Sequence, residues 1–241
     1  MIFLGIINEV HMKKKISTIF FDIDNTLLNH TGAEQKALLA IKAKYFPRIN
    51  VSVFEKTWNE KTKKNWLLYE KKQLTFEEQR IRRIFDVWNA FDKTISEDSS
   101  KEIFEEFLLL YEKFWKLFPG THSALKQLHK KGFSLGIITN GNKNQQMKKI
   151  LQMGIYSFFK KKLIVISEEV GYAKPQKEIF LYSQVSANTR PENILFVGDN
   201  FMQDIEPATK LNWNTVLVNN FDSMLNKKNQ DFRKLLQKVL R

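Results

Sequence analysis

Ile19-Phe20-Phe21-Asp22-Ile23-Asp24-Asn25-Thr26 joins a short apolar run to two acids and two further polar residues, and the reading of this junction decides the fold. The run is rich in strand-forming residues and a helix-like stretch follows it, so it reads as a strand buried on both faces. The same arrangement recurs twice. Leu135-Gly136-Ile137-Ile138 leads into Thr139-Asn140-Gly141, and Ile194-Leu195-Phe196-Val197 leads into Gly198-Asp199. Buried strands that alternate with helices build a parallel sheet, and open sheets of this kind bind ligands beyond the carboxyl ends of their strands. The polar residues of all three junctions are therefore expected along one edge.

Outward from these junctions, strand-like runs recur near residues 16–21, 133–138, 163–166, 194–198 and 214–218, alternating with helical stretches from 118 onward. Between the first two runs no strand pattern is found. Phe54, Trp58, Thr62, Trp66 and Tyr69 recur at helical spacing, as do Phe76, Ile81, Ile84, Phe85 and Trp88, and then Ile103, Phe104, Phe107, Leu110, Tyr111, Phe114 and Trp115. The spacing predicts a helical module over residues 29–117, inserted into a core formed by 1–28 and 118–241, with most of its aromatics filling its own interior. Asn29-His30-Thr31-Gly32 reads as a break after the first junction, and Phe118-Pro119-Gly120-Thr121 as the turn that opens the next helix. Such a module is expected to act as a lid hinged at these two borders. Residues 221–241 read as an amphipathic closing helix with a lysine-rich polar face.

The chain of 241 residues has no cysteine, which rules out disulfides, thiolate metal sites and a cysteine nucleophile. Any metal would need oxygen or imidazole ligands. No apolar stretch approaches the roughly 20 residues that span a bilayer, so no membrane association is expected and the cytoplasm is the expected compartment. The opening Met1-Ile2-Phe3-Leu4-Gly5-Ile6-Ile7 lacks the basic start and cleavage site of a secretory signal. Met12-Lys13-Lys14-Lys15 resembles a second beginning, so residues 1–11 are either an upstream extension or a short element lying on the core. A net charge of +13 fits either nucleic acid or anionic substrates as partner, or a proteome biased toward lysine. The lysines are dispersed and their densest runs are short, without interleaved aromatics, which favours the compositional reading over nucleic-acid binding.

Asp22 and Asp24 stand two apart just past a strand, where paired carboxylates repel unless a cation or shared proton relieves them. Magnesium suits such a site, since it prefers oxygen ligands and is often anchored by one or two carboxylates plus substrate phosphate. Asp199 would supply a further carboxylate. Thr139 and Asn140 would donate to phosphoryl oxygens, and Lys174 would bring positive charge. Each signal alone is weak; a lysine before proline is usually exposed, with Pro175 as a first helical residue. Their joint occurrence at strand ends is specific.

On these residues the chain resembles the haloacid dehalogenase-like hydrolases, in their phosphatase branch with a compact C1-type helical cap. Asp22-Ile23-Asp24-Asn25-Thr26 matches the first motif of that superfamily, Thr139-Asn140 the second, Lys174-Pro175 the third, and Gly198-Asp199 with Asp204 the fourth. The resemblance implies an α/β fold with a Rossmann-like parallel-sheet core and an inserted α-helical cap. It also implies magnesium-dependent hydrolysis of a small-molecule phosphomonoester through an aspartyl-phosphate. Asp22 would be the nucleophile and Asp24 the acid and base. Magnesium would sit on Asp22, the Asp24 carbonyl and Asp199. Thr139, the Asn140 amide and Lys174 would hold the phosphoryl oxygens, while Asp204 would orient Lys174 or a metal-bound water. The acid at Asp24 argues against carbon–halogen chemistry, where halide leaves without a proton. The segments at 137–142 and 166–175 look most like pyrimidine 5′-nucleotidases and are also similar to N-acylneuraminate-9-phosphatases and other sugar phosphatases. Nucleoside 5′-monophosphates are thus the first expected substrates and sugar phosphates the alternative. Specificity is expected from the cap and from the loop at Asn29-His30-Thr31, with His30, His122 and His129 on the surface. The protein is expected to be a monomer or a dimer, and a basic nucleic-acid-binding module is the alternative outside enzymology.

Overall fold

A computed structural model describes residues 16–218. The expectations for residues 1–11, for a start at Met12 and for a closing helix at 221–241 lie outside the described residues. Those described form two compact units, one of the residues up to Leu28 and from Leu117 onward, the other Asn29–Lys116.

The first unit is an α/β layer structure around five parallel strands. These are β1 (Thr18–Phe21), β2 (Ser134–Thr139), β3 (Ile164–Ile166), β4 (Ile194–Gly198) and β5 (Asn214–Leu217), in the order β3-β2-β1-β4-β5. Each of the five strand-like runs becomes a strand. β1 and β4 are buried along their whole length, as apolar runs covered on both faces must be. Phe21 pairs with Ile137 on one side and Val197 on the other, which brings the residues following β1, β2 and β4 to a common level. The chain winds outward from β1 through β2 to β3 and then returns to β4, so the direction of winding reverses between β1 and β4. That reversal is the switch point where open α/β sheets bind ligands.

Beneath the sheet, Phe20 stacks on Trp213 with centroids 5.6 Å apart, and Phe180 meets Phe196 edge-on at 5.6 Å. Gly136 permits this packing, since a Cβ there would lie 2.5 Å from the Phe20 ring. Helices α5 (Thr121–Lys130), α6 (Lys143–Gln152), α7 (Ser167–Val170), α8 (Lys177–Ala187) and α9 (Glu206–Lys210) complete the unit in their places along the chain.

The second unit contains four helices, α1 (His30–Tyr45), α2 (Val51–Glu70), α3 (Phe76–Asn89) and α4 (Glu97–Lys113). α1 packs on α4, and α3 packs on both α2 and α4. Their starts are fixed by side chains that satisfy the open N–H groups: Asn29, Asn50, Ser96, and Thr75 with Glu78 in a reciprocal capping box. Trp58 and Phe107 lie tilted with ring centres 5.0 Å apart and Phe46 meets Trp88 edge-on at 4.8 Å, so aromatic rings form the interior. Trp66 departs from that expectation and stays 43% exposed.

Two local readings need correction. Asn29-His30-Thr31-Gly32 is not a loop but a helix start, because the Asn29 carboxamide accepts from Gly32 N–H and caps α1. His30 is therefore in a first helical turn, with Nδ1 2.6 Å from the Tyr111 hydroxyl. Pro175 is not the first residue of a helix, since α8 begins at Lys177 after Gln176. His122 and His129 are on the exposed side of α5, where both meet the edge of Phe158.

Candidate active site

Asp22 is the first residue past β1, and its N–H donates to Val197 O at 3.0 Å, which ties it to β4. The chain then folds back tightly: Leu27 and Leu28 N–H both donate to Ile23 O at 2.9 Å. Asn25 takes the left-handed conformation this turn requires, with φ of 61°, which asparagine tolerates better than most residues. Thr26 Oγ1 lies 3.4 Å from Asp199 Oδ1, a long contact that links the loop to the end of β4.

Asp199 follows β4 directly, and Asp204 follows in a π-helical turn over Phe201–Ile205. The Asn200 side chain accepts from Met202 and Gln203 N–H, and Asn200 N–H donates to Asp204 Oδ2 at 3.1 Å. Gly198 is required here, because a Cβ would collide with the Asp204 side chain.

Lys174 reaches these acids from the loop before α8. Its ammonium donates to Asp22 Oδ1 at 2.7 Å and to Asp204 Oδ1 at 2.6 Å, with a side chain only 3% exposed. Asn140 holds that loop in place. Its carboxamide donates to Lys174 O at 2.9 Å and accepts from Lys174 N–H at 2.8 Å. The Asn140 side chain is thus engaged with the main chain of Lys174.

Asp24 faces α6. Lys149 Nζ lies 2.8 and 2.7 Å from its two carboxylate oxygens, and Gln146 Nε2 lies 3.0 Å from one of them. The same Gln146 nitrogen is 3.2 Å from Thr139 Oγ1 and 2.7 Å from Asn140 O, so one side chain ties the ends of β1 and β2 together. Gln146 and Lys149 are buried polar residues that the sequence reading passed over. Their signal was slight: two polar side chains three apart, in the first turns of the helix that follows Thr139-Asn140-Gly141.

Carboxylate oxygens of Asp22, Asp199 and Asp204 lie within 4.8 Å of one another. One ammonium stands against three carboxylates, so positive charge is in deficit. Burial pushes the Asp22 carboxyl up to about 7, and Asp204 and Asp24 add to that while Lys174 opposes it. Burial and Asp204 push Asp199 up to about 6, with Lys174 opposing. Burial alone would lower Lys174, yet Asp22 and Asp204 outweigh it and hold the ammonium above its ordinary value. An all-oxygen donor set with unmet negative charge fits a small divalent cation such as magnesium.

The profile of the haloacid dehalogenase-like hydrolases matches residues 16–212, most of the chain. The chain belongs to that family. Among relatives of this hydrolase, glyceraldehyde 3-phosphate phosphatase of Methanothermobacter thermautotrophicus is 31% identical over 208 residues, covering 85% of this chain and 86% of the relative. YfnB of Bacillus subtilis, a HAD-hydrolase by name, is 29% identical over 213 residues, covering 86% of this chain and 85% of its own. The magnesium-bound crystal structure of YfnB aligns with a TM-score of 0.74 at 23% identity, over 94% of this chain and 99% of that one, a likeness of fold. No helix among the described residues is long and apolar enough to cross a membrane.

Proposed function

We propose that this hydrolase is a magnesium-dependent phosphomonoesterase of the C1-capped type that works through an aspartyl-phosphate. The observation that carries the reading is the bridge from Lys174 Nζ to Asp22 at 2.7 Å and Asp204 at 2.6 Å, beside Asp199 at the switch point of the sheet. An ionised carboxylate needs no deprotonation to act as a nucleophile, only position and relief of its charge. An Asp22 oxygen attacks phosphorus, and the bond from phosphorus to the ester oxygen breaks. Asp24 delivers a proton to the departing oxygen. Water then attacks the aspartyl-phosphate, Asp24 takes back a proton, and inorganic phosphate leaves with Asp22 regenerated. Thr139, the Asn140 main-chain N–H and Lys174 are assigned to the phosphoryl oxygens, where positioning and electrostatics provide most of the rate. Asp204 fixes Lys174. Asp22, Asp199 and the Asp24 carbonyl would hold magnesium, which would supply the positive charge that lets a phosphate dianion approach these acids.

For substrate we favour a small phosphorylated sugar or triose over a nucleoside 5′-monophosphate. Support comes from the archaeal relatives named for glyceraldehyde 3-phosphate, of which one is matched over 85% of this chain and another, from Methanopyrus kandleri, over 84%. The segments that look like pyrimidine nucleotidases are those beside Asn140 and Lys174, which serve the phosphate rather than the leaving group. Leaving-group selection is assigned to the helical unit, since Asp22, Asp24, Thr139, Lys174 and Asp199 all belong to the other. The test is phosphate release with magnesium from p-nitrophenyl phosphate, glyceraldehyde 3-phosphate and nucleoside monophosphates. Release from none of them overturns the reaction. Faster release from a nucleotide than from any sugar phosphate overturns the substrate choice.

A further inference from the structure

Arg83 is a buried cation that the proposed chemistry leaves unused. It lies on α3 inside the helical unit and is 8% exposed. Its guanidinium carbon sits 5.0 Å from the ring centre of Trp58 and 5.3 Å from those of Phe104 and Phe107. Polar partners are scarce around it. Its Nη1 lies 3.5 Å from Thr62 Oγ1, at the outer limit of a hydrogen bond, while Arg83 Nε and the neighbouring Trp58 Nε1 are buried donors with no acceptor. Glu34 acts on the guanidinium through space without an ion pair, and Arg80, also over the Phe104 ring at 5.4 Å, adds a second positive charge. Burial pulls the guanidinium down only to about 10, so the charge persists at neutral pH.

Ring faces compensate part of a buried cation's lost hydration but accept no hydrogen bonds in its plane. A buried guanidinium with an orphaned N–H is costly unless an anion occupies its edge. We propose that the helical unit holds a binding site for an anionic group, a carboxylate or a phosphate, built on the edge of Arg83. The planar fork of arginine matches such groups with paired hydrogen bonds, and the rings around it exclude water that would compete. The anion is a separate small molecule held within that unit, so the site does not rest on the phosphomonoesterase reading.

The test uses the full-length protein with Arg83→Met and Arg83→Lys. Malonate, a dicarboxylate without phosphorus, is titrated while the melting temperature is followed. The site gives a saturable rise in the unsubstituted protein that is absent in Arg83→Met. If Arg83→Met does not fold, Arg83→Lys carries the comparison, since an ammonium keeps the charge but loses the fork. A variant that keeps the malonate response, or an unsubstituted protein that shows none, overturns the site. Failure to hydrolyse p-nitrophenyl phosphate sinks the phosphomonoesterase reading and leaves this result intact.

Discussion

Among the described residues three cations are nearly sealed from solvent, and the two units treat them in opposite ways. In the α/β unit, Lys174 is bonded to Asp22 and Asp204, and Lys149 to both oxygens of Asp24. In the helical unit, Arg83 has aromatic rings and one long contact to Thr62. Removing a charge from water costs several kcal/mol unless partners restore what hydration gave, while a cation over a ring recovers only about 0.5–2 kcal/mol. The lysines are therefore satisfied by the chain itself, and they lock acids at the ends of β1 and β4. The arginine is not. A phosphate site must be rigid before substrate arrives, whereas a recognition site can leave its strongest donor for the ligand to complete.

The largest effects break the acidic half of this comparison. Asp22→Asn keeps volume but removes the attacking oxygen and one cation ligand, and kcat is expected to fall by at least about a thousandfold. Phosphate release checks it, with circular dichroism to establish that the variant is folded; near-normal turnover would exclude the covalent route. Chelation is expected to reduce turnover to background, and magnesium to restore it, because one ammonium cannot offset three carboxylates and an incoming dianion. Undiminished turnover in EDTA removes the cation from the scheme.

Lys174→Met separates the two roles of a paired cation. The loss of phosphoryl stabilisation is expected to lower kcat by about a hundredfold to a thousandfold. Asp22 and Asp204 would be left without their shared partner, a change that costs on the order of 3 kcal/mol when a buried pair loses one member. Urea unfolding with and without magnesium measures it, and the deficit is expected to shrink when the cation is present. Equal deficits under both conditions would mean that the cation does not share charge with these acids.

Lys149→Met should act more gently. The contacts of Lys149 to both oxygens of Asp24 orient the proton carrier rather than taking part in transfer. A fall in kcat of about tenfold with little change in KM is expected, since a misdirected acid or base loses part of a hundredfold or greater contribution. Lys149→Arg should recover part of that loss. An effect confined to KM would place Lys149 with the binding groups instead.

How much of this was legible follows from where each signal is written. The five strands could be read because a parallel strand buried on both faces needs an unbroken apolar run, and Ile19-Phe20-Phe21 or Ile194-Leu195-Phe196-Val197 satisfies that locally. The acids at their ends were visible for the same reason. Lys149 and Gln146 were not, because their burial depends on how α6 settles against the end of β2, which no local pattern encodes. Arg83 was hidden in Arg80-Ile81-Arg82-Arg83, a stretch whose charges look alike, although Arg82 is exposed and Arg83 is not. The Asn29 cap was misread since asparagine followed by glycine serves equally in a turn and at a helix start.

The smallest expected effect sharpens the contrast most directly, because it measures the charge deficit without substitution. Asp22 and Asp199 have an ordinary value near 3.8 and are pushed up to about 7 and about 6 in the folded, metal-free protein. Between pH of about 4 and 7 the folded state therefore binds more protons than the unfolded state, so stability falls as pH rises through that window. Magnesium competes with those protons and must bind more tightly as they leave. In EDTA the melting temperature is expected to be lower at pH of about 8 than at about 5, by a few degrees for a protein of this size. Saturating magnesium should raise it more at the higher pH. The same titration on Asp199→Asn should show a shallower pH dependence, since one of the two displaced acids is gone. A melting temperature in EDTA that stays flat or climbs from pH of about 5 to 8, with equal magnesium shifts at both ends, would mean that Lys174 already satisfies the cluster. The α/β unit would then hold no deficit, and the opposition between its closed charges and the open charge of Arg83 would reduce to the arginine alone.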